Sequence, residues 1–309
     1  MSLIPSRRWD LPGGHVWVRE AGSGSPGRPA AVLIHGLGGS SLNWINLMSL
    51  LAQDVDLIAV DLPGFGMSPP PRDGDYSPAG HARAVADLIV SWQEQRGSNA
   101  RVHVFGNSLG GAVALQLAAR HARLVESLTL ISPAMPTRRM GRGNVHLPVV
   151  AIPGLGESLA SRYGVVPAEQ RVQATLEACF VDPTTVTPEI RQALVDEVAA
   201  RDRMPHSRDA LLSSLRGLLG GFLDPTRERP WALASRVRQP VLALYGEQDV
   251  LVHPRSARRA ARAFPDVEVV LLSDCGHVAQ MEHPELVAAL WREAILDRLP
   301  SPATAPYTR

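Results

Sequence analysis

The chain has 309 residues, 45% of them hydrophobic and 20% charged, with a formal net charge of +1. That length suits an α/β unit carrying an insertion, and the composition is ordinary for a soluble protein with a large core. The near-zero charge gives no reason to expect nucleic acid or an anionic membrane as a partner, and the 31 basic residues, all arginine, are scattered rather than gathered in a patch.

No segment approaches the ~18 consecutive apolar residues of a membrane helix, so stable membrane insertion is not expected. The opening residues, Met1 to Arg8, lack a charged region followed by an apolar stretch and a cleavage site. Only two cysteines, Cys179 and Cys275, are present, too few for a disulfide framework. A cytoplasmic location is the expectation.

Along the chain, Trp9-Asp10-Leu11, Pro12-Gly13-Gly14 and then His15 to Glu20 read as an opening hairpin. Ala30 to Ile34 and Val55 to Val60 are continuous apolar runs of buried-strand length. Arg101 to Phe105, Ser127 to Ile131, Val241 to Tyr245 and Val267 to Leu272 are four more of the same kind. Helical patterns separate them near 41–52, 78–96, 109–121, 255–264 and 283–299. This alternation is the signature of a mostly parallel sheet, of about eight strands with the hairpin counted, flanked by helices.

Residues 134–230 break the alternation. Helical patterns occur at Pro167 to Cys179, Pro188 to Asp202 and Arg208 to Leu219, with no convincing strand. The stretch is too long for a loop, so a helical cap over 134–230 is expected on a core made of 1–133 and 231–309. Its apolar residues, among them Val149, Val150, Ile152, Leu155, Leu159, Leu211, Leu212, Leu215 and Leu218, suit an apolar substrate or simply pack helix on helix. The last residues, Ser301 to Arg309, are rich in Pro, Ala and Thr and read as a frayed end.

Gly106-Asn107-Ser108-Leu109-Gly110 follows one of these strands and opens a helix. A serine on so tight a turn is forced into a strained conformation, flanking glycines remove clashing side chains, and the helix N-terminus favours negative charge beside it. The bare pentapeptide arises by chance in about one chain in ten of this length, so the strand–turn–helix setting carries the weight.

A serine hydroxyl is a weak nucleophile and needs a base held by an acid. His277, in Asp274-Cys275-Gly276-His277, follows the strand ending at Leu272, and Asp249, in Gly246-Glu247-Gln248-Asp249, follows the strand ending at Tyr245. Both therefore reach the sheet edge where Ser108 emerges. Glu247, Asp266 and Asp274 are competing acids, and Asp274 doubles as a turn residue. His35-Gly36-Leu37-Gly38-Gly39 is a glycine-rich turn able to aim the N–H of Leu37 toward the elbow, where the N–H of Leu109 completes an oxyanion hole. Neither Gly-x-Gly-x-x-Gly nor a Walker pattern with lysine is present, which argues against a phosphate loop. His35 is expected to hydrogen-bond within its turn. Trp44 reads either as a wall of the acyl pocket or as a plain core residue. Asp61 to Ser68 reads as a structural loop, and Cys275 as a packing residue beside the base.

Taken together, His35-Gly36, Asp61 to Ser68, Gly106 to Gly110, Asp249 and Gly276-His277 resemble the α/β-hydrolase superfamily, in its lid-bearing esterase and lipase branch. The resemblance covers about residues 10–133 and 231–299. It implies the α/β-hydrolase fold and a Ser108–His277–Asp249 triad that hydrolyses small to medium apolar esters through an acyl-enzyme, with no cofactor and no metal. Dehalogenases and epoxide hydrolases of the superfamily carry Asp at the elbow, so Ser108 argues against both. Carbon–carbon bond hydrolases of aromatic degradation resemble the chain over Gly276 to His283 and at Gly106-Asn107-Ser108. They depart from it in carrying Trp at Val278 and Gly-Pro-Gly at Leu37-Gly38-Gly39. Cofactor-free haloperoxidase, lactonase and thioesterase activities, and a ligand-binding protein without turnover, are the remaining readings. Oligomeric state leaves no signature here, because an exposed cap face and a dimer interface look alike in sequence.

Overall fold

The apolar runs become one eight-stranded sheet in the computed structural model, which describes residues 3–137, 142–226 and 228–298. The hairpin is β1 (Ser6–Leu11) and β2 (Gly14–Ala21), closed at Leu11 opposite Gly14. The strands β3 (Ala30–Ile34), β4 (Asp56–Asp61), β5 (Val102–Asn107), β6 (Val125–Ile131), β7 (Val241–Gly246) and β8 (Val267–Leu272) follow. Their spatial order is β1-β2-β4-β3-β5-β6-β7-β8, with β1, β2 and β4 paired antiparallel and every later pairing parallel.

Continuous hydrophobicity rather than alternation is what a strand buried on both faces requires, and β3, β4, β5 and β7 are buried at every position. Alternate residues feed opposite layers. Val32, Ile34, Ile58 and Val104 join one core cluster, while Ala31, Leu33, Leu57 and Phe105 join the other. Each large side chain so buried contributes about 1.5–3 kcal/mol relative to exposure.

The helices α1 (Ile45–Leu51), α2 (Pro78–Gln95) and α3 (Leu109–Arg120) connect the first strands. Between β6 and β7 the described residues add no strand. They form α4 (Leu147–Val150), α5 (Leu155–Tyr163), α6 (Ala168–Cys179), α7 (Pro188–Asp202), α8 (Ser207–Leu223) and α9 (Pro230–Ala234). The last helices are α10 (Ser256–Ala263), α11 (Ala279–Glu282) and α12 (Pro284–Trp291), followed by a π turn over Arg292–Leu296. The single helix expected over 283–299 is thus divided. No helix among the described residues is long and apolar enough to cross a membrane. The expected frayed end, Ser301 to Arg309, lies outside the described residues.

α4 and α5 have no counterpart in the sequence expectation, because Pro148, Pro153, Gly154 and Gly156 interrupt any longer periodicity there. The apolar residues between β6 and β7 differ in burial. Leu212, Leu215 and Leu218 of α8 are buried, whereas Val149, Ile152, Leu155 and Leu159 are exposed.

Candidate active site

Ser108 sits between the end of β5 and the first residue of α3 with φ 54° and ψ −117°, a conformation costing a non-glycine residue about 1–3 kcal/mol. Its own backbone holds it there. Its N–H donates to the Ile131 carbonyl at 3.1 Å, and its carbonyl accepts from Gly111, Ala112 and Ala134. Glycine is required around it by close approach: a Cβ at Gly106 would lie 2.3 Å from the Gly110 carbonyl, and one at Gly110 would lie 2.1 Å from that of Ile34. α3 therefore starts directly against the end of β3, where the His35–Gly39 turn begins.

That turn closes through Gly39 N–H to the Gly36 carbonyl at 3.0 Å, with Gly38 at φ +75°. A Cβ at Gly36 would lie 3.2 Å from the Cβ of Ser108, so turn and elbow touch. Among the described residues, the N–H groups of Leu37 and Leu109 donate to no protein acceptor. His35 donates from Nδ1 to the Gly36 carbonyl at 2.7 Å and accepts at Nε2 from Leu62 N–H at 3.0 Å, a pattern only the neutral ring can make. Burial lowers its pKa to about 4. His35 is thus a strut of the turn, as expected.

The loop after β7 brings Asp249 to His277. The ring Nδ1 donates to Asp249 Oδ2 at 2.9 Å, which places the proton on Nδ1 and leaves Nε2 able to accept. The other carboxylate oxygen accepts from Leu251 N–H at 2.7 Å and Val252 N–H at 2.8 Å. Burial pushes the Asp249 carboxyl up, but the His277 ring and the Val252 amide bring it to a net value below the ordinary one. Of the competing acids, Glu247 and Asp266 are exposed. Asp274, at φ +51°, accepts from Gln248 Nε2 at 3.1 Å and shapes its own turn. Gly246 makes the approach of the two loops sterically feasible, since a Cβ there would lie 2.0 Å from the Gly276 carbonyl.

Further contacts escaped the sequence reading. Asn107, the residue before Ser108, donates its side-chain amide to the His277 carbonyl at 3.0 Å and to that of Ile131 at 3.1 Å. The N–H of His277 donates to the Cys179 carbonyl, at the end of α6, at 2.7 Å. The carboxylate of Glu282 accepts from Gly276 N–H at 3.0 Å and Val181 N–H at 2.9 Å, and burial holds its pKa above the ordinary value. From α7, Arg201 and Glu197 reach the turn beside Leu37. The only sequence signal for any of these was the adjacency of Asn107 to Ser108 and of Glu282 to the histidine loop.

Two expectations change or sharpen. Trp44 does not line a pocket. Its side chain is fully buried in the core, edge-on to Phe105 at 6.4 Å and in one cluster with Leu47, Met48 and Leu51 of α1. Cys275 is likewise a core residue, its thiol pushed up by burial. The Asp61 loop is structural: its carboxylate accepts from Ser41 N–H at 2.8 Å and Met67 N–H at 3.0 Å, and Ser68 Oγ donates to its carbonyl at 2.7 Å.

A strained serine at a helix N-terminus, a histidine tethered to its neighbour and a buried carboxylate behind the histidine form an arrangement suited to nucleophilic catalysis. The dihydrolipoyllysine-residue acetyltransferase component of the acetoin cleaving system of Cupriavidus necator is 30% identical over 86% of this chain and 63% of its own length. The chain therefore spans less than two thirds of that relative. Monoacylglycerol lipase abhd6-A of Xenopus laevis is 27% identical over 86% of this chain and 75% of its own. The structure of 2-hydroxy-6-oxo-6-phenylhexa-2,4-dienoate hydrolase from Rhodococcus sp. strain RHA1 superimposes with a TM-score of 0.73 at 22% identity, covering 95% of this chain and 99% of that one. The model of the alpha/beta hydrolase fold family matches residues 29–284, and the chain belongs to that family.

Proposed function

We propose that the protein is a serine hydrolase that cleaves small to medium apolar carboxylic esters through an acyl-enzyme. The observation that carries the reading is the 2.9 Å hydrogen bond between His277 and Asp249, on a loop tied to the elbow by Asn107. Ser108 Oγ attacks the ester carbonyl as His277 Nε2 takes its proton. Asp249 fixes the tautomer and favours the imidazolium. The N–H groups of Leu37 and Leu109 receive the oxyanion. His277 then protonates the leaving alcohol, and later takes a proton from the water that releases the acid.

Residues 134–230 act as a cap over this site, with the substrate entering between cap and core. Leu211 of α8 supports that placement, since a Cβ at Gly38 would lie 3.6 Å from it. Both cysteines are free thiols, which accords with a cytoplasmic location.

Carbon–carbon bond hydrolysis is the second reading, favoured by the stretch from Gly276 to His283. Against it, the position after the histidine is Val278, whose side chain packs among Val172, Leu176, Phe180 and Val195. Hydrolysis of p-nitrophenyl esters of increasing acyl length, beside a 2-hydroxy-6-oxodienoate, separates the readings. Turnover of the esters with a maximum at one length is expected. Turnover of the dienoate alone would overturn the ester reading, and turnover of neither would indicate a binding protein.

A further inference from the structure

Ser108, Asp249 and His277 each follow a strand of the sheet, and the turn carrying Leu37, braced from within by His35, is also held from outside the sheet. Gly36-Leu37-Gly38-Gly39 contains three glycines in four residues, so local sterics leave its backbone free to adopt several conformations. Besides His35 and the Gly39–Gly36 hydrogen bond, restraint comes from the last turns of α7. Arg201 donates from its guanidinium to the Gly38 carbonyl. Glu197, one helical turn earlier, accepts from Ser40 Oγ at 2.6 Å.

The Arg201 and Glu197 side chains lie 3.9 Å apart and are only 20% and 14% exposed, so both act in a poorly screened setting. Ser40 is itself the N-cap of a short helix: its hydroxyl accepts from Leu42 N–H at 3.2 Å, and its N–H donates to Asn43 Oδ1 at 3.1 Å. Arg201 therefore pins the carbonyl of Gly38, the residue after Leu37, and Glu197 pins Ser40, the first residue after the turn.

We propose that Arg201 and Glu197 are positioning residues that aim the Leu37 N–H at the oxyanion, so that the site is complete only with α7 seated on the turn. The assignment rests on the serine-hydrolase reading above. A mis-aimed donor weakens the tetrahedral state and leaves the planar ester almost untouched, so its loss falls on kcat rather than KM.

The test compares the unaltered protein with Arg201→Met, Arg201→Lys and Glu197→Leu. Arg201→Met keeps much of the aliphatic stem and removes the donor. Arg201→Met and Glu197→Leu are each expected to lower kcat about tenfold, with KM within about threefold. They are expected to weaken an alkylboronic acid, which forms a tetrahedral adduct on serine, by the same factor. Arg201→Lys, which can still donate, is expected to recover part of the loss. Amide hydrogen exchange over residues 36–44 is expected to quicken in both damaging variants while exchange in β5 stays unchanged. A rise in KM with kcat preserved, or unchanged exchange over 36–44, would overturn the proposal. Wild-type protein that forms no serine adduct would overturn the hydrolase reading itself; an adduct with unchanged kcat in the variants would overturn the positioning role alone.

Discussion

Asn107 and His277, 170 positions apart in the chain, are joined by a hydrogen bond from the Asn107 side-chain amide to the His277 main-chain carbonyl, 3.0 Å long. Both partners of that amide are carbonyls, so its NH₂ group has one possible orientation. The Asn107 side chain thus sets the spacing between the elbow and the main chain of the histidine loop. Replacing Asn107 with Ala leaves the two carbonyls of Ile131 and His277 without this donor. The expected cost is about 1–3 kcal/mol in urea unfolding, with ester kcat down about tenfold. Full kcat in Asn107→Ala would show that the tether does not position the base.

The choice of acid is testable by a pair of isosteric changes. Asp249→Asn retains the shape but stabilises the wrong tautomer of His277, and kcat is expected to fall about 10⁴-fold. Asp274→Asn alters only the exposed bond with Gln248 and is expected to stay within about threefold of wild type. Steady-state ester kinetics on both variants decide the matter, and the opposite ranking would move the acid to Asp274.

Trp44 offers a test of core against pocket. Its indole N–H has no hydrogen-bond partner, so Trp44→Phe removes packing volume alone. Unfolding stability is expected to fall by about 1–3 kcal/mol, while KM across the ester series stays within about twofold. A KM change confined to one acyl length would return Trp44 to the pocket wall.

Three buried histidines set an acid dependence of stability. Burial lowers His35 and His103 to about 4 and His81 to about 3, so each stays neutral in the fold while the unfolded chain takes a proton near 6.5. Between pH 6.5 and 4 the unfolded state therefore holds more protons, and stability falls as pH falls. Each group contributes a slope of up to about 1.4 kcal/mol per pH unit. Glu197 and Glu282, raised by burial, work in the opposite sense, so a single substitution isolates the effect. His103→Gln is expected to reduce the slope between pH 6 and 5 by about one proton in urea titrations. An unchanged slope would mean that His103 does not titrate between the two states.

Strands and elbow were legible because their signals are local: an unbroken apolar run for a strand buried on both faces, and glycines at fixed offsets around Ser108. Asp249 could be placed because it follows such a run, and His277 because it follows the strand-length apolar stretch Val267 to Leu272. The remaining site residues act through tertiary contacts that leave no local pattern. Cys179 contributes only its main-chain carbonyl to His277, and Arg201 is one arginine among 31. The same lack of context left Trp44 undecided, since a large aromatic after a glycine-rich turn suits a pocket wall and a core equally well.

The central claim is that Ser108 is the nucleophile. Intact-protein mass after incubation with a fluorophosphonate addresses it with the fewest intervening assumptions. The expected result is one adduct on wild-type protein, mapped by digestion to the peptide holding Ser108, and none on Ser108→Ala. An adduct of equal yield on Ser108→Ala, or one mapped to any other residue, would contradict the account.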